Sequence, residues 1–430
     1  MKPSPISLLL VLALSLGSLR AADGPPSLTL AEAHAIALKR HPKISVAELL
    51  AKASWQEVRQ ARAGYYPNVS LNMASVHAGS ENTRGVSTSL PVSAIVDRDG
   101  AAVFLSQLIT DFGRTSNLAA STVLKAKAEE RNVDATRAQI LLEVDNAYFA
   151  TLRSEALVRV ARDTVRERQL LSNQVTALAK NALRSNLDVS FADVNLQQAQ
   201  LLLSHTENDL ASAYATLAAL LDESSVTEFR LADESAAARP APNVNDLIAA
   251  AFRNRPELLR LGLERDSAAK LAKAERALNY PRVSAEVAAG ELPYHDPTTN
   301  QDYAAFGVIV SVPIFNGNLY WAKAKEAELK AQAGDETLHD ARNDVERDVR
   351  IAWLSANNAY KNMAITSNLR QQAKRSLDLA QARYNAGTSG MVELSQAQLA
   401  LTSADIDETS ARYEYLLRLS ILAFQTGSLK

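Results

Sequence analysis

From Arg114 to Asn181 the chain holds neither proline nor glycine, a stretch of 68 residues. Proline breaks a helix interior and glycine weakens one, so a gap this long in both predicts a single continuous helix. Within it Val133, Arg137, Ile140, Val144, Ala147 and Thr151 recur at steps of four and three, which is one face of a helix. At 1.5 Å per residue such a helix is a rod of roughly 100 Å, several times the width of an ordinary domain. A rod of that length has to pack lengthwise against others.

The rest of the chain supplies them. All 14 prolines lie at or before Pro91 or between Pro240 and Pro313, which leaves Val92–Arg239 and everything after Pro313 free of proline. Those two blocks are expected to be mostly helix, and the proline-bearing sections to hold turns and strands. The N-terminus, with Lys2, the apolar run Ile6–Leu16 and Ala21-Ala22, has the form of a secretory signal peptide over residues 1–22, cleaved after Ala21 or Ala22. Its removal leaves a mature net charge of −4, since Lys2 and Arg20 go from a chain of 46 basic and 48 acidic residues. That balance points to no nucleic-acid partner. The chain has no cysteine, hence no disulfide, no thiol chemistry and no lipid-bearing N-terminal cysteine. Past the signal there is no run of 18 apolar residues, so any membrane crossing has to use a closed β-barrel.

The chain is duplicated internally. Pro42 and Pro256 lie 214 residues apart, as do Pro67 and Pro281. In the first repeat (23–221), Thr29 and Glu32 form a capping box before a short helix, a second helix covers Lys43–Gly64, and a hairpin spans about 67–112. The long helix over about 114–181 and a further helix over about 188–221 complete it. The second repeat (243–430) places helices before Tyr280-Pro281, a hairpin at about 281–315, a long helix at about 318–384 and a last helix at about 393–424. A linker over 222–242 joins the two. In each hairpin apolar residues alternate, as Val69, Leu71, Met73 and as Phe306, Val308, Val310, Val312. Ala147-Tyr148 recurs as Ala352-Trp353, and Val345, Val349, Ala352, Ala356, Ala359 and Met363 repeat the four-three stripe. The helix after Asp188 carries a heptad, Val189, Leu196, Leu203, Leu210 and Leu217 at one seam position and Ala192, Ala199, Thr206, Ala213 and Leu220 at the other. Stacked end to end, the two shorter helices of a repeat match its long rod in length.

Two hairpins give four strands, and about eight is the practical minimum for a closed barrel, so closure requires several chains. Rods of roughly 100 Å exceed a bilayer core of about 30 Å and are too polar for one, so they belong in an aqueous compartment. An oligomeric barrel above a helical tube is a conduit.

The run Leu105-Ser106-Gln107-Leu108-Ile109-Thr110-Asp111-Phe112-Gly113-Arg114-Thr115, Val312-Pro313-Ile314-Phe315-Asn316-Gly317, and Tyr384-Asn385-Ala386-Gly387-Thr388 before Glu393-Leu394 resemble the TolC family of outer-membrane efflux and type I secretion channels. The resemblance covers essentially the whole mature chain. It implies a mainly α fold with a small β part, a homotrimer whose twelve strands close in outer-membrane lipid, and a periplasmic helical tunnel. It also implies a periplasmic adaptor and an inner-membrane transporter as partners. In the family the turns between long and short helices are the periplasmic tips, where the pore closes and the adaptor docks. Here the docking positions are Ser185, Asn186 and Leu187 in the first tip and Tyr384, Gly387, Thr388, Ser389 and Gly390 in the second. The aperture positions are Asp188, Glu393 and Gln396, and a glutamine at the last weakens any acidic ring.

Simpler readings stand beside these. Asp188 and Glu393 in the first turn of a helix are favoured there by the helix dipole alone. Gly387 and Gly390 are turn glycines suited to positive φ. Asp111-Phe112-Gly113 matches the kinase magnesium triplet but stands without its companions, so it is a strand end. The histidines, His34, His41, His77, His205, His295 and His339, share no metal-ligand spacing and are expected to be solvated or locally bonded. Tyr65, Tyr66, Phe112, Tyr280, Phe315, Tyr320 and Trp321 gather at strand ends, as an aromatic girdle or as ordinary junction packing. No phosphate loop, serine elbow or catalytic carboxylate pair occurs, so neither enzyme nor cofactor is predicted. The competing reading is a periplasmic coiled-coil scaffold or adaptor without a pore.

Overall fold

The structure is a computed structural model and describes residues 27–76, 83–84, 94–95, 98–223, 230–234, 239–294 and 300–429. The expected signal peptide lies outside these, as do His77, His295 and most of the loop between Gly79 and Gly100. In chain order the elements are β1 (Ser27–Leu28), α1 (Leu30–Arg40), α2 (Pro42–Ala63), β2 (Asn68–Val76), β3 (Thr83–Arg84), β4 (Ala94–Ile95), β5 (Arg98–Thr110), α3 (Arg114–Lys180) and α4 (Asn186–Leu220). There follow β6 (Arg230–Leu231), α5 (Val244–Asn254), α6 (Pro256–Arg276), a 3₁₀ turn at Ala277–Asn279, β7 (Arg282–Tyr294), β8 (Asp302–Ser311), α7 (Leu319–Asn385) and α8 (Met391–Gln425).

The prolines act where physics allows them. Pro42 and Pro256 sit at the first position of α2 and α6, where a missing N–H costs nothing. Positive φ shows the duplication again. Among the described residues it occurs at Phe112, Gly113, Ala182 and Asp222 in the first repeat and at Gly317, Asn318, Gly387 and Gly427 in the second, each pair 205 residues apart. Ala182 and Gly387 end the two long helices with the same motif: Leu183 N–H donates to the Leu178 carbonyl at 2.9 Å, and Thr388 N–H to the Arg383 carbonyl at 3.0 Å. At Gly427 a side chain is doubly excluded, since a Cβ would fall 2.9 Å from the Asn254 carbonyl carbon.

The rods pack as the lengths require. The first part of α3 lies against α2 and α6 and its last part against α4 and α8, while α7 is flanked by α5, α6 and α8. Ion pairs stitch the seams, Lys125 to Glu57 at 3.2 Å between α3 and α2, Arg162 to Glu207 at 3.0 Å between α3 and α4. Val133, Ile140, Val144, Ala147 and Thr151 are all buried. Arg137, on the same stripe, lies at its rim with its guanidinium on Glu48 at 2.7 Å, because a buried charge would need a buried partner. Of the α4 heptad, Ala192, Leu196, Ala199, Thr206 and Leu217 are buried.

The largest cluster lies at mid-length of α3, where Ile140, Val144, Tyr148 and Leu152 meet Ala33 and Ala37 of α1, Leu217 of α4 and Leu416 of α8. Tyr148 places its hydroxyl between the Leu28 carbonyl (2.9 Å) and the Ala232 carbonyl (2.7 Å), where β1 and β6 form a short parallel pair. Burial pushes its phenol far above the ordinary range. Its counterpart Trp353 donates its indole N–H to the Ala241 carbonyl at 2.8 Å. The two equivalent aromatic residues thus hold the linker against the two long helices, and Arg412 of α8 adds a bond to the Glu234 carbonyl at 2.9 Å.

One histidine, His34, departs from the expected solvated or locally bonded state, and a second, His41, is bonded locally but buried. His34 bonds through Nε2 to Asp145 at 2.5 Å, and that carboxylate is 1% exposed. His41 is buried and caps α2, its Nδ1 accepting from Lys43 N–H. Burial, with Lys43 beside it, holds the His41 pKa below its ordinary 6.5. A depressed histidine pKa makes the folded chain bind this proton less readily than the unfolded one. Its contribution to stability is therefore complete above about pH 6.5 and is lost as the pH falls through the lower folded value. Thermal melts between pH 7.5 and 5 should show this loss. His41→Asn, which keeps an acceptor for Lys43 N–H, is expected to flatten that part of the curve, and an unchanged pH slope would rule the cause out.

Candidate functional site

The main sheet runs in the order β2-β5-β7-β8, antiparallel throughout. Its register sorts the side chains. Val69 pairs with Leu105 and Leu71 with Val103; Leu105 and Val103 pair in turn with Val287 and Ala289; Val287, Ala285 and Val283 pair with Phe306, Val308 and Val310. Opposed residues share a face, so the middle of one face is aliphatic and aromatic, with the polar Gln107, Ser75, Glu291 and Asp302 confined to its two ends. It is also bare: Leu71 is 59% exposed, Met73 75% and Phe306 74%. The other face is mixed, carrying Asn68, Ser70, Asn72, Ser106, Ser284, Glu286 and Gly307 with Phe104, Leu108 and Ile309 between them, and part of it lines a concavity of about 470 Å³. Strands β2 and β8 are open edges. An apolar outer band, a mixed concave face and two unpaired edges describe a barrel sector whose solvent is lipid. Among the described residues no helix is long and apolar enough to cross a membrane.

Residues 35–223 and 247–428 match the family model described as outer membrane efflux protein. This chain belongs to that outer membrane efflux protein family. It is 25% identical over 429 residues to outer membrane protein TolC of Vibrio cholerae serotype O1, covering 93% of this chain and 91% of the relative. It is 27% identical over 300 residues to the solvent efflux pump outer membrane protein SrpC of Pseudomonas putida, covering 68% and 63%. The crystal structure of the outer membrane protein VceC from Vibrio cholerae superposes with a TM-score of 0.79 at 18% identity, covering 93% of this chain and 96% of that one. The efflux-family chain is therefore an outer-membrane channel with a helical tunnel.

The tips of this efflux protein lie at the far ends of the rods. In the first, Ser185 caps α4: Asp188 N–H donates to Ser185 Oγ at 3.1 Å, and Asp188 Oδ2 accepts from Ser185 N–H at 3.2 Å. Asp188 is thus engaged in a capping box. Asn186 and Leu187 are exposed, Leu187 at 64%. In the second tip Gly387 holds φ 72° and Thr388 donates its N–H and hydroxyl to the Arg383 carbonyl. Gly390 departs from the expected positive φ. It is extended, at φ −91° and ψ 169°, because it occupies the N-cap position of α8, where a β-region backbone is the norm. Ser389 has its hydroxyl buried without a partner.

The structure joins the two tips through a residue that sequence spacing does not mark. Arg184 donates to the Tyr384 carbonyl at 2.6 Å and lays its guanidinium 4.2 Å from the Tyr384 ring centroid. Tyr384 is 2% exposed, so it serves as a seat for Arg184 and offers no docking surface. Burial raises its phenol above the ordinary value, a rise opposed by Arg184. Glu393, in the first turn of α8, pairs with Arg383 at 2.8 Å, and Gln396 is exposed one turn on. Deeper in, Asn195 of α4 donates to Ser395 of α8 at 2.7 Å in a buried contact. Among the described residues no group of three or more His, Asp and Glu side chains is placed to hold a metal.

Proposed function

We propose that three copies of this chain join their sheets edge to edge into a twelve-stranded barrel, and that the helices below form a periplasmic tunnel. Cargo driven by an inner-membrane transporter would reach this passive conduit through a periplasmic adaptor docked at the tips. The observation that carries the reading is the exposed apolar band on a sheet whose two edges have no partner among the described residues, which neither water nor a single chain can satisfy. Exposed apolar residues along α4 (Leu187, Val194, Leu201) and α7 (Leu354, Ile365, Leu369) support lateral contact between copies. The docking surface consists of Ser185, Asn186 and Leu187 with Gly387, Thr388, Ser389 and Gly390. The test is the native mass of the protein extracted from outer membranes in mild detergent. Three chains are expected, and a detergent-independent monomer or dimer would replace the conduit with a periplasmic scaffold.

Glu393 and Asp188 would ring the aperture, with Gln396 contributing no charge. Because Arg383 already faces Glu393, Glu393→Gln is expected to lower cation preference only slightly, by less than roughly twofold in permeability ratio. Reversal potentials in a salt gradient measure it, and an unchanged ratio would remove Glu393 from the ring.

A further inference from the structure

At the base of the sheet, where β7 and β8 meet the start of α3, lies a cleft of about 510 Å³. Two guanidinium groups line it, and neither has a carboxylate partner among the described residues. Arg282 pairs in register with Ser311 on the mixed face, two residues before Ser284, and its exposed side chain makes no hydrogen bond or ion pair among those residues. Arg114 opens α3, and its Nε is buried without a partner. The one acid in the walls, Asp111, keeps its charge but is turned to the helix start, its Oδ2 accepting from Thr115 N–H at 2.8 Å and from the Thr115 hydroxyl at 2.5 Å, so the walls carry a net single positive charge. Glu286 stands on the same face four residues further along β7, roughly 13 Å away. The remaining wall mixes apolar and aromatic side chains, among them Leu108, Leu118 and Tyr280, with the polar Gln60, Thr115 and Ser311.

We propose that this cleft is a lumenal binding site for amphipathic organic anions, meaning a carboxylate or sulfonate carried on an aromatic or aliphatic body. Guanidinium is the side-chain group best shaped for a planar carboxylate or a sulfonate, and here two of them, against one carboxylate, stand free of ion pairs among the described residues beside apolar and aromatic side chains. Leu108, Arg282 and Ser311 of its wall stand on the sheet face opposite the apolar one, so on the conduit reading a solute inside the barrel reaches the cleft and a lipid outside does not. The inference rests on the conduit reading and names one class of solute that lingers there.

The test is single-channel recording of the purified full chain in planar bilayers, with 1-naphthalenesulfonate as the probe and 1-naphthylmethylammonium as its cationic counterpart. The sulfonate is expected to block and the ammonium to block far less. Arg282→Gln should raise the half-blocking concentration by about tenfold, the loss expected for one charge-assisted bond, and Arg114→Gln by a similar factor. Should Arg114→Gln fail to assemble, Arg282→Gln still decides, because its side chain is bonded to nothing. Normal conductance with equal block in the variants, or equal block by the ammonium, overturns the site and leaves the channel intact. Absence of any conductance from the unaltered protein overturns the conduit reading and the site with it.

Discussion

Leu71→Arg is expected to abolish assembly in the outer membrane, whereas Ser70→Arg, one residue earlier, should assemble almost normally. Leu71 belongs to the apolar band and is paired with Val103; Ser70 belongs to the mixed face, paired with Phe104. A guanidinium on the lipid side of a membrane strand costs about 2–4 kcal/mol near the midplane, and a lumenal one costs little because water reaches it. Three copies would carry the burden three times in a closed barrel. Heat-modifiable mobility on gels and surface protease protection compare the two variants directly. Equal assembly of both, or failure of Ser70→Arg alone, would mean the apolar face is not turned toward lipid.

The second large effect is expected at the tips. With the aperture at the tips as proposed, Arg184→Ala should widen it, seen as a larger single-channel conductance than that of the unaltered channel. The lost interactions are a charge-assisted bond to the Tyr384 carbonyl and a guanidinium–ring contact, together worth about 2–4 kcal/mol. A bias of that size shifts a closed-to-open ratio by roughly 30-fold or more. Arg184→Lys keeps the charge but loses the planar stack, so an intermediate conductance is expected. If Arg184→Ala conducts like the unaltered protein, the two tips of a chain are held by something else.

Much of the fold was legible because it rests on periodicity and on residues that forbid structure. A gap in proline and glycine marks α3, the four-three stripe marks its buried face, and alternation in β2 and β8 marks the apolar side of the sheet. Proline spacing alone carries the duplication. What stayed hidden depends on partners far apart in sequence or on very short elements. The β1–β6 pair has two residues per strand, too few to alternate, and exists because Tyr148 gathers both carbonyls. Arg184 and Tyr384 lie 200 residues apart and meet only because two rods end at the same height. Arg383 neutralises Glu393 from the preceding helix, so a carboxylate that sequence order assigns to the aperture is already half spoken for. His34 and Asp145 look unremarkable in a sequence of alanines and charges, and the burial that makes them a pair is a product of the mid-length core.

The open edges of β2 and β8 also set an order of events in the life of each molecule. The rods already pack on one another within one chain, α3 against α4 and α6, and α7 against α8 and α6, and these contacts can form before any copy is met. In the proposed trimer the sheet cannot: until the other copies arrive, its edge amides and its apolar face would have no partner, and both would invite aggregation. Biogenesis therefore divides into a fast, concentration-independent step that builds the rods and a slow encounter step whose rate depends on how many copies are present. Escort of the newly exported chain matters most in the interval between the two.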